Sequence, residues 1–272
     1  MRPLDRPLLD RLLLDPRNGP DHDRPAPEPG VRAYVVCSMP RSGSTLLCRL
    51  LGATGDAGVP AEHLNPMQLR DWGLRAGGPR GAAQLLLWGP AVGALAGRIG
   101  WGPERVGAHL DRLRQRRSAG GWYGLKLHHH HLVRHFGARA PLRGLEAHLG
   151  PLTLLRIGRR DRLAQAVSWE RALQSGQWAS WQRRGLPPVY SRRRIGARLR
   201  ELDAGEAGWD AILGDRPHAR LWFEDLVADP TAALNAARAA LGLAPLPAAP
   251  PVPDLRPQGG GAAWVARYRA GT

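Results

Sequence analysis

Lysine is almost missing from this chain. Lys126 is the only one in 272 residues, so the net charge of +16 is carried by arginine. Cysteine is scarce too: only Cys37 and Cys48 occur, eleven residues apart. Two cysteines cannot build a disulfide framework, and they suit a reducing, cytoplasmic setting. Their simplest reading is as small buried hydrophobes rather than a redox pair. Long apolar runs are absent. The stretch Leu8–Leu14 is interrupted by Asp10 and Arg11 and is too short for a signal-peptide core. Nothing approaches the roughly 18 apolar residues of a spanning helix. A soluble cytoplasmic protein is therefore expected. Several nucleotide signatures are missing as well. There is no Gly-x-x-x-x-Gly-Lys-Ser/Thr loop and no Gly-x-Gly-x-x-Gly fingerprint. Zinc-finger, leucine-zipper and RNP-type patterns are also absent.

What remains is aliphatic, rich in Ala, Gly, Pro and Arg, and contains ten Trp. The chain is long enough for one α/β domain with a full core. Residues 1–30 hold five Arg against six acids, so the positive excess lies in residues 31–272. The first thirty residues read as a disordered or loosely docked leader, with a short helix over Leu8–Leu14. Residues 31–272 read as a single domain. Strands are predicted over Ala33–Cys37, Trp122–Leu127, Leu152–Ile157 and Ala219–Phe223. Helices are predicted over Thr45–Ala53, Arg162–Gln182, Ile195–Leu213 and Pro230–Leu241, with several more between residues 66 and 117. Asp229 can cap the last of the named helices, with Pro230 in its first turn. Residues 244–261 read as loop. This alternation predicts an α/β fold of three layers, with a central parallel β-sheet flanked by helices and a P-loop-like opening.

The segment Pro40-Arg41-Ser42-Gly43-Ser44-Thr45-Leu46-Leu47 sits between the first strand and the first helix. An anion cradle needs backbone N–H groups pointing one way, a close approach at glycine and a helix N-terminus. Gly43 supplies the approach, and Ser42, Ser44 and Thr45 supply hydroxyls. Arg41 supplies a guanidinium able to chelate an anionic oxygen. The plain alternative is an ordinary strand–helix turn with a capping serine. A second basic element follows the third strand, where Arg160 and Ser168 are eight residues apart. Open parallel sheets bind ligands at their C-terminal edge. Two anion sites there suit a nucleoside phosphorylated at both ends.

These motifs resemble the sulfotransferases, and more narrowly the Stf0 family, whose founding members sulfate trehalose. The resemblance is carried by Tyr34–Leu47, Gly58-Val59-Pro60-Ala61-Glu62, Gly124 and Lys126, Arg160–Trp178, and Trp264-Val265-Ala266-Arg267-Tyr268. It implies a transferase that uses 3′-phosphoadenosine 5′-phosphosulfate (PAPS) and no metal. It places Arg41, Ser42, Gly43, Ser44 and Thr45 on the 5′-phosphosulfate, and Arg160 and Ser168 on the 3′-phosphate. Arg256, Trp264 and Arg267 would close over the cofactor, although Gly259-Gly260-Gly261 departs from the family pattern and Trp264 reads equally well as core. The resemblance also implies a homodimer and a small-molecule carbohydrate or glycolipid acceptor.

Sulfuryl transfer to an alcohol requires a group that takes the hydroxyl proton. Glu62 matches the family's base position in Gly-Glu-Pro-x-Glu, and His63 beside it is a reserve. Val59 replaces the first Glu of that pattern, which argues against trehalose as acceptor. His128-His129-His130-His131 invites a metal reading. Consecutive strand residues alternate faces, so four neighbours cannot converge on one ion. The expectation is instead a loop lining the acceptor cleft, with His129 among its contacts. Two rival readings remain at this point. A small-molecule kinase would need a Walker lysine and a magnesium carboxylate. Asp161 is a poor metal ligand among Arg159, Arg160 and Arg162. A nucleic-acid-binding protein would suit the basic pI of 11.4, but no specific nucleic-acid motif supports it.

Overall fold

The computed structural model describes residues 18–25, 29–66, 68–69, 71–72, 103–178, 185–252 and 261–271. Four strands form one parallel sheet: β1 (Arg32–Ser38), β2 (Trp122–His128), β3 (Leu152–Gly158) and β4 (Ala219–Trp222). Their spatial order is β2-β1-β3-β4. β1 therefore has neighbours reached by connections running in opposite directions, and its C-terminal end is a topological switch point. The register brings Ser38 level with His128 on one side and with Ile157 on the other.

The described helices are α1 (Ser44–Ala53), α2 (Pro103–Arg117), α3 (His129–Phe136), α4 (Pro141–Leu149), α5 (Arg162–Ser175), α6 (Arg192–Leu213), α7 (Phe223–Ala228), α8 (Pro230–Ala240) and α9 (Ala262–Arg269). Strand side chains alternate between two cores. Val35, Cys37, Leu125, Leu127 and Leu154 meet Leu110, Leu132, Leu145, Val167 and Trp209 on one face. Tyr34, Val36, Leu155 and Ile157 meet Leu47, Leu226 and Leu234 on the other. Both faces are covered, which gives the three layers expected from the sequence. Both cysteines are buried and unbridged.

Local chemistry sets the helix boundaries. Asp161 accepts from the Ala164 N–H at 2.9 Å and caps α5. Gly176 adopts the left-handed conformation and ends α5 at Ser175, earlier than the predicted Gln182. Residues 179–184 lie outside the described residues. Asp229 caps α8 through the Ala232 N–H at 2.9 Å, with Pro230 in the first turn.

The main departure concerns the histidine run. His128 ends β2, and His129–His131 open α3. A strand that converts to a helix no longer alternates, so neighbouring histidines can meet. Residues 18–25 of the leader touch the end of α2. The nearly fully buried Arg117 donates to the Gly19 carbonyl at 2.9 Å and pairs with Asp23 at 3.0 Å. The predicted Leu8–Leu14 helix lies outside the described residues, and of the stretch 66–117 in which several helices are expected, residues 73–102 also lie outside them while Pro103–Arg117 is helical. Among the described residues, no helix is long and apolar enough to cross a membrane.

Candidate active site

β1 delivers the chain to its C-terminal edge at Ser38, and the turn Met39–Gly43 leads into α1. Arg41 sits at φ +63°; among the described residues the only other non-glycine at positive φ is Ala140. That conformation costs an L-residue roughly 1–2 kcal/mol, and such strain collects at functional sites. Gly43 is at φ +83°. A Cβ there would stand 2.5 Å from the Phe223 ring. Glycine is thus required by backbone conformation and by packing against α7. Ser42 is fully buried, and its hydroxyl has no hydrogen-bond partner among the described residues. α1 begins at Ser44 with no side-chain cap, which leaves its first N–H groups to an external acceptor.

The Arg41 guanidinium lies against this turn. Its Nε donates to Ser168 Oγ on α5 at 3.0 Å, and an Nη donates to the Trp178 carbonyl at 2.7 Å. Burial pushes Arg41 down to about 10, the like charge of Arg159 adds to the shift, and Glu62 opposes it. Arg159 is itself lowered, first by burial. Its Nε is buried without a partner among the described residues. Like charges that repel one another in a partly desolvated setting favour an anion between them, and Glu224 and Asp161 already offset part of the Arg159 charge.

The loop after α1 brings the carboxylate. Gly58, at φ +67°, approaches the Trp122 and Arg117 carbonyls too closely for any side chain. Ala61 then pairs with Leu125 on the outer edge of β2, and Lys126 N–H donates to the Ala61 carbonyl at 2.9 Å. This short parallel pairing places Glu62 beside Lys126. The Lys126 ammonium is 2.5 Å from Glu62 Oε1 and donates to Thr45 Oγ1 at 2.8 Å. Asn65 donates to Glu62 Oε2 at 2.6 Å, and His128 Nε2 lies 3.5 Å from Oε1. Burial alone would raise Glu62. The charges of Lys126 and then His128 outweigh it and hold the carboxyl well below its usual range.

Several expected residues go elsewhere. Arg160 forms a two-pronged pair with Asp225 at 2.6 and 2.8 Å on the exposed surface, while Ser168 accepts from Arg41. His63, expected as an acceptor contact or reserve base, is buried with its ring stacked on Tyr123, 6.0 Å between centroids. His129 is half-buried and packs edge-on against Trp209 on α6. Trp264 packs on the core and on Tyr190, and Arg267 lies over the Tyr190 ring. Arg256 lies outside the described residues. Sequence reasoning assigns Lys126 no role and places His128 only within the run lining the acceptor cleft. The signal for Lys126 was a single lysine inside an apolar strand of an arginine-rich chain. Among the described residues, no group of three or more His, Cys, Asp or Glu is disposed to hold a metal ion.

Comparison with known proteins interprets this geometry. The profile of the Stf0 sulphotransferase family matches residues 33–271. The chain belongs to the Stf0 sulphotransferase family. The kinase and nucleic-acid readings give way to it. Trehalose 2-sulfotransferase of Mycobacterium tuberculosis (strain ATCC 35801 / TMC 107 / Erdman) is 29% identical over 270 residues, 88% of this chain and 95% of that protein. Trehalose 2-sulfotransferase of Mycolicibacterium smegmatis (strain ATCC 700084 / mc(2)155) is 28% identical, over 87% and 94%. The sulfotransferase domain of the Synechococcus PCC 7002 olefin synthase superposes with a TM-score of 0.42 at 20% identity, over 81% of this chain and 75% of that domain. As a member of the Stf0 family, this chain is a sulfotransferase.

Proposed function

We propose that this enzyme transfers a sulfuryl group from PAPS to a hydroxyl of a carbohydrate or glycolipid acceptor, with Glu62 as general base. One observation carries the reading. Lys126 joins Thr45 of the anion-binding turn to Glu62 by contacts of 2.8 and 2.5 Å, so cradle and proton acceptor share a single cation. The orphaned Ser42 hydroxyl and the Arg41–Arg159 pair fit a doubly charged phosphosulfate.

The donor supplies an activated sulfuryl group whose leaving phosphate gathers negative charge. Arg41, Thr45 and the N–H groups opening α1 offer fixed donors to that charge and need little reorganisation. Ser42 and Ser44 line the same turn. Ser168 is assigned to the 3′-phosphate together with Arg160, which reaches it by leaving Asp225; an exposed pair of this kind holds weakly. Trp264, Arg267 and Arg256 are assigned to closure over the nucleotide. Glu62 receives the acceptor's proton. Held so far below its usual range, it accepts that proton late, when bond formation to sulfur has made the hydroxyl strongly acidic. The names of the mycobacterial relatives support a sugar hydroxyl. Val59 and the histidines opening α3 differ from the family pattern and favour a sugar other than trehalose.

The test is direct. 3′-phosphoadenosine 5′-phosphate (PAP) should raise the melting temperature, because a ligand bound only by the native state stabilises it. Radiolabelled PAPS should label a component of a carbohydrate and glycolipid panel. Glu62→Gln should keep the PAP-induced rise and lower turnover by about 10²–10⁴-fold. A chain whose melting neither nucleotide changes, and which transfers no label, would overturn the proposal.

A further inference from the structure

His128 has surroundings the transfer reaction does not by itself require. Its ring is nearly buried at the C-terminal end of β2. Nε2 faces Glu62 Oε1 at 3.5 Å, and a carboxylate only accepts, so that nitrogen must carry a hydrogen in the resting site. Nδ1 faces two different atoms of Ser38 on β1: the hydroxyl at 3.1 Å and the carbonyl at 3.3 Å. The same hydroxyl also lies 3.2 Å from the Leu127 carbonyl. Two protonation states are therefore fully satisfied. In the neutral ring, the Ser38 hydroxyl donates to Nδ1. In the imidazolium, Nδ1–H donates to the Ser38 carbonyl while the hydroxyl turns to Leu127. Either protonation state of this buried imidazole therefore leaves none of its polar groups orphaned.

We propose that His128 is a positioning residue for Glu62 whose charge decides how readily that carboxylate takes the acceptor's proton, the imidazolium form being the slow state. The inference rests on the reading of Glu62 as base. In the imidazolium state, Glu62 Oε1 lies between two cations, Lys126 and His128. Loss of the His128 proton to solvent removes one of them and strengthens the base. The charged and titratable groups facing His128 are Glu62 from the loop after α1, Lys126 from β2, and His130 and His131 from α3. Burial and then His128 hold His130 down to about 4 and His131 well below its usual value. Both stay neutral where an ordinary imidazole titrates, between about pH 5 and 8.

The test follows the ring itself in protein labelled with ¹⁵N-histidine, assigned with His128→Gln. The neutral ring should be the Nε2–H tautomer. Replacing the carboxylate by Glu62→Gln should lower the His128 titration midpoint, since an opposite charge at 3.5 Å favours the charged form. Glu62→Asp, which withdraws the carboxylate, should lower it in the same direction. In the transfer assay, wild-type kcat should be about tenfold lower on its acid plateau than at alkaline pH. His128→Gln should abolish that difference and keep the PAP-induced melting shift. A neutral Nδ1–H tautomer, a midpoint unmoved in both Glu62 variants, or an acid step surviving in His128→Gln would each overturn the inference. Ring coupling in a chain that binds neither nucleotide would refute the proposed function alone. A working sulfotransferase without the coupling would refute the inference alone.

Discussion

Removing the Lys126 charge tests the electrostatic core of the site without any substrate. The Lys126 side chain is 5% exposed and that of Glu62 is 22% exposed, with 2.5 Å between them. Lys126→Met keeps most of the volume and leaves the carboxylate facing only Asn65 and His128. Breaking a fully buried pair costs 3–5 kcal/mol. Glu62 retains some solvent, so about 2 kcal/mol is expected here. For a domain of this size that is about 4–8 °C in melting temperature. The pH dependence carries the sharper prediction. Glu62 is depressed in the folded protein, so its contribution is complete above the unfolded value near 4.5. It fades as pH falls toward the folded value. Lys126→Met moves the folded value upward. The gap between wild type and variant should therefore be widest near pH 7 and narrow as pH drops below about 4.5. Differential scanning calorimetry between pH 3.5 and 8 reads both quantities. A variant as stable as wild type at pH 7, or a gap constant across that range, would refute the reasoning.

Three further outcomes follow from the same geometry. Arg41→Ala should weaken PAP binding by about 10–100-fold by calorimetry, because charged hydrogen bonds contribute about 1.5–3 kcal/mol; unchanged affinity would remove Arg41 from the cradle. Gly43→Ala should cost about 2–3 kcal/mol in denaturant unfolding, combining the left-handed backbone with the displaced Phe223 ring; a loss below about 1 kcal/mol would contradict the packing. Arg156→Met should cost about 3 kcal/mol, because it strips one partner from buried Glu206 and leaves Arg162 at 2.9 Å. Adding Glu206→Leu should recover much of that loss.

The strands and most long helices were legible in the sequence because period and punctuation are local. Ala33–Cys37 reads as a buried strand from its composition, and the structure extends it by one residue at each end. The Asp229–Pro230 start of α8 reads directly, since cap and first-turn proline are adjacent. Helix α5 was drawn too long because Gly176 was given no weight as a stop. The histidine run was misread for a related reason. A strand-to-helix conversion between His128 and His129 leaves no punctuation of its own.

A single domain over residues 31–272, a strand–turn–helix around Arg41–Thr45 and a carboxylate at Glu62 are legible in the sequence, and the resemblance those motifs carry points to a sulfotransferase. What only the tertiary structure decided is who meets whom. Ser168 takes Arg41, Glu62 takes Lys126, and His63 turns away from its neighbour into the core. Those pairings join residues separated by tens of positions. They depend on the register of Ala61 against Leu125 and of Ser38 against His128. Sequence spacing encodes the reach of a helix turn or a strand pleat. It does not encode which edges of a folded sheet come within a hydrogen bond of one another.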